Sequence, residues 1–153
     1  MRKDLENSYD HIVFLVRLLH KSDLQYVVTA ILMELGIPAK HEGYHYLKAA
    51  ILQYNSGMMC MVNARLYQLI AEQWGASAIS VEKAIRSAIK AGWQNRQGKM
   101  WEYYFPGIDM DDGKAPSNHM FIAEVARVLE LWEGLRQTYE YELRKKEVSY
   151  GIK

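Results

Sequence analysis

Apolar residues along this chain recur at intervals of three and four rather than two, and only three prolines, at 38, 106 and 116, interrupt them. That spacing predicts helices, and no stretch reads as a strand. Leu5, Tyr9, Ile12, Val13, Val16 and Leu19 fall on one stripe of a first helix over about 5–20. Ser22 or Asp23 can cap the next, whose stripe is Leu24, Val27, Val28, Ile31, Leu32 and Leu35. Gly36, followed by Pro38, supplies the left-handed cap position and the stop. A third helix starts near Gly43 and runs through Tyr44, Leu47, Ile51 and Leu52 to Asn55, where Asn55, Ser56 and Gly57 favour a turn. A fourth covers about 59–74. The fifth, about 79–94, buries Val81, Ile85, Ala88 and Ile89 on one side. Residues 95–118 read as the longest irregular stretch. A final helix beyond Ser117 and Asn118 carries Phe121, Val125, Val128, Leu129, Trp132, Leu135, Tyr139 and Leu143, a series longer than a compact domain needs.

The fold class expected is therefore all-α: a compact helical bundle with a helix-turn-helix, divided into an N-terminal helical extension at 1–23, a domain at 24–132 and a C-terminal helical extension at 133–153. The 153 residues suffice for one main core, and 50% hydrophobic against 24% charged residues excludes bulk disorder. No run approaches the roughly 20 apolar residues of a bilayer span. Asp4, Glu6, Asp10 and Arg17 interrupt the start, unlike a signal peptide, so a cytoplasmic protein with no membrane partner is expected. The one cysteine, Cys60, cannot form an internal disulfide and reads as a small buried hydrophobe.

Nineteen Lys and Arg against eighteen Asp and Glu leave a formal charge of +1, which favours no class of partner. The distribution says more. Residues 76–99 hold Lys83, Arg86, Lys90, Arg96 and Lys99 against Glu82 alone, whereas 100–150 hold six bases against ten acids. Leading into this basic region, Ala71 is followed by Gly75 four positions on and by Val81 six further, a spacing that fits a helix-turn-helix. A small residue at 71 permits close helix approach, Gly75 turns the chain, and Val81 packs the second helix back on the first. With about 100° per residue, Ser80, Lys83, Arg86, Ser87, Lys90 and Gln94 lie away from the buried stripe. Such a face can neutralise phosphates and donate to base edges; it also fits the solvated side of an ordinary helical hairpin.

Other clusters favour blander readings. His41 and His45 are four apart, but no carboxylate pair or cysteine cluster completes a metal site. Asp109, Asp111 and Asp112 before Gly113 lack the later acidic ligand of a calcium loop. Met58, Met59 and Met61 read as core filler. Trp74 and Trp93 flank the helix-turn-helix and are expected to clamp its helices against the core; Trp101, Tyr103 and Tyr104 suit either stacking on a partner or covering the domain, and packing is the default expectation. No nucleophile with an adjacent base and no phosphate loop can be assembled, so neither an enzyme nor a cofactor is expected.

Three longer blocks carry a resemblance: ILMELGIPAKHEGYHYLKAAI at 31–51, LYQLIAEQWGASAISVEKAIRSAIKAGW at 66–93 and APSNHMFIAEVARVLEL at 115–131. From about Val28 to Leu131 the chain resembles the C-terminal DNA-binding effector domain of the response regulator that initiates sporulation in endospore-forming bacteria, the stage 0 sporulation protein A family. The resemblance implies an all-helical domain that binds promoter DNA as a dimer and controls transcription. Glu82 and Arg86 stand where that family has its matching Glu and Arg, and Val81, Ala84, Ile85, Ala88, Ile89 and Trp93 fit its core pattern. Ser80 and Ser87 stand where it leads one to expect Arg and His, and Lys83 where it leads one to expect Arg. Lys lacks the planar fork that grips guanine, and Ser carries no charge. In the family a phosphate-accepting receiver precedes this domain. Here about 25 residues do, so any control is expected to act through the terminal helices or another protein.

Joined to the resemblance, the residues lead us to expect a sequence-specific transcription regulator with a recognition helix over about 79–94. Ser80, Glu82, Lys83, Arg86 and Ser87 would read bases, and Lys90, Arg96, Lys99 and Lys114 would hold phosphates of double-stranded DNA. A homodimer through Val125, Trp132, Leu135 and Tyr139, or through the Leu5–Leu19 stripe, is expected, as is a protein partner such as a transcription regulator or RNA polymerase. The competing expectation is a protein-interaction module that keeps the scaffold and antagonises a regulator without binding DNA; Ser80 and Ser87 motivate it.

Overall fold

The computed structural model describes residues 24–55, 64–111, 113–149 and 151. These form six helices and no strand: α1 (Leu24–Glu34), α2 (Glu42–Asn55), α3 (Ala64–Trp74), α4 (Ala78–Gln94), α5 (Met100–Tyr104) and α6 (Asn118–Ser149). The all-α expectation holds. The Leu5–Leu19 stripe and the Met58–Met61 cluster lie outside the described residues.

α1 buries Val28, Ile31 and Leu32, as its stripe requires. It ends at Gly36, whose φ of +72° lets the Gly36 N–H reach the Met33 carbonyl at 3.0 Å and the Ile37 N–H reach that of Leu32 at 2.9 Å. Two otherwise unpaired carbonyls of the last turn are thereby satisfied. α2 then runs through the middle of the bundle, packing against α1, α3, α4 and α6. It buries Gly43, Tyr44, Leu47, Ala50 and Ile51.

α2 and α4 approach each other closely. A Cβ built on Gly43 would lie 2.0 Å from the Ala84 carbonyl oxygen and 3.0 Å from the Ala88 Cβ, so the first turn of α2 rests directly on the backbone of α4. Glycine inside a helix costs about 1 kcal/mol relative to alanine. Here it is required because no side chain fits. α4 answers with small residues, Ala84 and Ala88, on the contacting face, and fixes itself in the core through Val81, Ile85, Ile89 and Trp93.

α5 corrects the expectation of an irregular stretch over 95–118. Five residues are too few to display a helical period, yet Trp101 is fully buried and anchors the turn. Its ring meets Trp93 edge-on at 5.2 Å and stacks on Phe105 at 5.6 Å, while Phe121 of α6 lies 5.3 Å from Phe105. Each such aromatic contributes about 1.5–3 kcal/mol by burial, and the cluster joins the end of α4 to the start of α6. Trp74 also departs from expectation. It is 47% exposed and meets Tyr46 of α2 edge-on at 5.7 Å, so it does not clamp α4. α6 buries Phe121, Ile122, Val125, Ala126 and Leu129, and no described residue beyond Leu129 is buried.

Two expected outcomes follow from this packing. Gly43→Ala should lower the urea midpoint although alanine is the better helix former, because overpacking costs about 1–3 kcal/mol or more; an equal or higher midpoint contradicts the close approach. The second concerns Tyr104, whose hydroxyl donates to Glu34 across the α5–α1 junction. Burial, then that hydrogen bond and the carboxylate charge, raise the phenol above its ordinary value of 10.0. The protonated phenol is thus favoured in the folded state, so its contribution is complete below pH 10 and is lost as pH rises beyond it. Tyr104→Phe should remove about 1 kcal/mol at neutral pH and flatten the fall in stability between pH 9 and about 11, measured by urea unfolding across that range.

Candidate nucleic-acid interface

The helix-turn-helix is α3, the turn at 75–77 and α4. Ala71 is 4% exposed and Val81 wholly buried, which brings the two helices together as the spacing requires. Gly75 adopts φ +63°, and the Ala76 N–H donates to the Ala71 carbonyl at 2.9 Å, closing the end of α3. That left-handed conformation costs a side-chain-bearing residue about 1–2 kcal/mol, which explains the glycine. Ser77 then caps α4: its Oγ accepts from the Ser80 N–H at 3.2 Å.

The outward face of α4 carries Ser80, Lys83, Arg86, Ser87 and Lys90, all exposed. The structure therefore brings the five onto one stripe, but their bonding differs. The Ser80 hydroxyl donates to the Ser77 carbonyl at 2.8 Å and accepts from the Ser77 hydroxyl at 3.0 Å, so it belongs to the cap. Glu82 is half-buried at the edge of the stripe and forms an ion pair with Arg86 one turn on. Lys83 and Lys90 make no ion pair among the described residues. The Ser87 hydroxyl lies 3.1 Å from His41 Nε2 at the start of α2.

Behind this face, Asn118 holds α4 in place. It is the one buried polar residue among the described residues, 8% exposed, and its Nδ2 donates to the Glu82 main-chain carbonyl at 3.2 Å and to the Tyr67 hydroxyl at 3.3 Å. One side chain at the start of α6 thus ties α3 to α4. Burial raises the Tyr67 phenol above its ordinary value, opposed by the Asn118 hydrogen bond, with Glu82 and Arg86 acting in opposite senses. A cavity of about 300 Å³ opens beside these groups, with Tyr67, Arg86, Lys90, Ser117 and His119 on its walls. Sequence reasoning missed Asn118 and His119 because both lie at a helix start, where no periodic pattern marks them. It took Asn118 only as the place where the last helix begins.

The remaining cations are dispersed. The Arg96 guanidinium sits 4.0 Å from the centre of the Trp93 ring and donates to the Trp93 carbonyl at 2.8 Å and the Met110 carbonyl at 3.1 Å. Its fork ties the end of α4 to the loop before α6, and a phosphate would have to be held alongside those bonds. Lys99 is exposed just before α5. Lys114 is exposed and borders a second cleft, about 630 Å³, together with Phe105, Ile108, Met120 and Arg127.

His41 does not pair with His45. Its two ring nitrogens face the Gly43 N–H and Ser87, while His45 is exposed beside Tyr44. No group of three or more His, Cys, Asp or Glu among the described residues is placed to hold a metal ion. Asp109 accepts from the Asp111 N–H at 2.9 Å, a local turn. No helix among the described residues is long and apolar enough to cross a membrane.

A buried helix face, an outward basic stripe and a glycine-turned brace are the parts a DNA-reading helix-turn-helix needs. The family described as sporulation initiation factor Spo0A C terminal matches residues 28–129. That span is well over half of the 153 residues and coincides with the stretch that carries the resemblance in sequence. The chain belongs to the Spo0A C-terminal family, a family of DNA-binding effector domains of transcription regulators.

Proposed function

We propose that the chain is a sequence-specific, DNA-binding transcription regulator that acts in the cytoplasm as a homodimer and lays α4 in the major groove. The observation that carries this reading is the outward stripe Lys83, Arg86, Ser87 and Lys90 on a helix whose other face is locked in the core. In this reading Lys83 and Arg86 donate to purine edges and Ser87 makes a short polar contact. Glu82 accepts from cytosine when Arg86 leaves it, and Ser80 offers its remaining lone pair. Lys90, Lys99 and Lys114 hold the backbone, with Arg96 beside them at the end of α4.

The Arg86–Glu82 pair is not an obstacle. An exposed ion pair of adjacent helical turns is worth about 0.3–0.5 kcal/mol, whereas a guanidinium that grips guanine bidentately gives about 1–3 kcal/mol. Exchange therefore favours the base. Fluorescence anisotropy across a salt series tests the assignment. Arg86→Ala should cost about 1–3 kcal/mol and relax the preference at one base pair; Lys90→Ala should weaken all sequences and reduce the salt slope by about 1. Absent or salt-independent binding by the parent protein rejects the reading.

The second half of α6 supports self-association: Leu131, Leu135 and Tyr141 are each more than half exposed on a helix that continues past the core. A chain ending at Leu131 should run as a monomer by light scattering, at somewhat under half the particle mass of the parent dimer. A truncated chain that still runs as a dimer removes this surface from the interface.

One observation favours a second reading, in which the chain is a protein-interaction module that engages a transcription regulator or RNA polymerase without binding DNA. The Ser80 hydroxyl is engaged in the cap and Arg86 is paired, which leaves Lys83 and Lys90 as the cations of the stripe with no ion pair among the described residues. This reading requires a stable hetero-complex in pull-downs and no discrete genomic footprint.

A further inference from the structure

We propose that His41, which lies outside the helix-turn-helix, is a positioning residue that sets the Ser87 hydroxyl as a hydrogen-bond donor toward the duplex. The inference rests on the reading of α4 as a recognition helix and deepens it. His41 stands immediately before α2, and its Nδ1 accepts from the Gly43 N–H at 3.0 Å. A nitrogen that accepts carries no proton, so in the neutral ring the hydrogen is on Nε2. That nitrogen lies 3.1 Å from Ser87 Oγ, 46 positions along the chain, and the Nε2–H therefore donates to the serine oxygen.

The consequence lies in what remains of the hydroxyl. A serine on a helix commonly turns its O–H back to the carbonyl four residues earlier. Ser87 makes no such bond among the described residues, and one of its two lone pairs is occupied by His41. Its proton is left for a partner on the exposed side of α4, where it matches the acceptors of the major groove: purine N7, guanine O6 and thymine O4. Ser80, two helical turns nearer the N-terminus on the same stripe, shows the opposite arrangement. Its proton goes to the Ser77 carbonyl, so it has no hydrogen to offer a base. Two serines that look equivalent in sequence thus have different capacities, and the difference for Ser87 originates in α2.

The test is selection of binding sites from a randomised duplex library by the parent protein, Ser87→Ala and His41→Asn. Asparagine keeps a cap acceptor for the Gly43 N–H but is too short to reach Ser87, so the fold is retained, as the thermal midpoint verifies. The parent should prefer an acceptor-bearing base at one position by about 5-fold to 10-fold, the value of one neutral hydrogen bond; Ser87→Ala should lose that preference, and His41→Asn should reduce it. Affinity for non-specific duplex and the salt slope should not move. If His41→Asn selects the parent's site with the parent's discrimination, or weakens all sequences equally, the positioning role is overturned while DNA binding stands. A parent protein that binds no duplex overturns both. Nitrogen correlation spectra of the imidazole give a readout without DNA: a protonated Nε2 and a bare Nδ1 are expected, and the opposite tautomer overturns the inference.

Discussion

The arrangement of the whole bundle depends on the absence of one side chain. Gly43 lets the first turn of α2 lie against the Ala84 carbonyl, and any Cβ there would occupy the same space as that oxygen. Helices that approach so closely must present small residues on both sides, and α4 does so with Ala84 and Ala88. That contact sets which face of α4 turns inward and therefore which turns outward. The residue two positions before Gly43, His41, reaches Ser87 only because α2 begins this close to α4. A larger residue at 43 would separate the helices and break the polar contact together with the packing.

Three further ties keep α4 from rotating about its own axis. Near its start, Asn118 holds the Glu82 carbonyl from α6. Near its end, Trp93 packs against Trp101, and Arg96 reaches the Met110 carbonyl. Ties at both ends and a backbone contact between them fix the direction in which the exposed stripe points. This matters energetically, because each immobilised side chain costs about 0.5–1.5 kcal/mol on association. A fixed helix avoids the backbone part of that cost and leaves only the lysine and arginine rotamers to be ordered.

What could be read from the sequence and what could not divides along physical lines. Amphipathic stripes of eleven residues or more announced α1, α2, α4 and α6, because a helix that buries one face must repeat apolar residues at three and four. The helix-turn-helix was legible because Ala71, Gly75 and Val81 each satisfy a local steric demand. α5 was not, since a single turn anchored by one tryptophan has no period. Arg96 was counted with the surface cations because composition records charge but not direction; only the fold shows its guanidinium turned onto Trp93. His41 was weighed against His45, its neighbour in sequence, whereas its partner Ser87 is brought to it by a helix crossing. Asn118 escaped for the same reason, as its partners Tyr67 and Glu82 belong to other helices.

The composition of the outward stripe bears on why self-association belongs with recognition. With Ser at 80 and 87 and Lys at 83, the stripe holds one guanidinium, Arg86, capable of planar bidentate reading. One such contact gives about 1–3 kcal/mol of discrimination, and a neutral hydroxyl adds about 1 kcal/mol. From Arg86 and Ser87 together a single subunit therefore draws about 4 kcal/mol at most, the lower limit of the roughly 4–10 kcal/mol that separates specific from non-specific binding in known regulators. Two copies on adjoining half-sites double the direct readout without any new contact and bring it within that range. On the proposed function, then, the exposed apolar residues of α6 and the sparse stripe of α4 address one requirement: a weakly discriminating face becomes selective when it is presented twice at a fixed spacing.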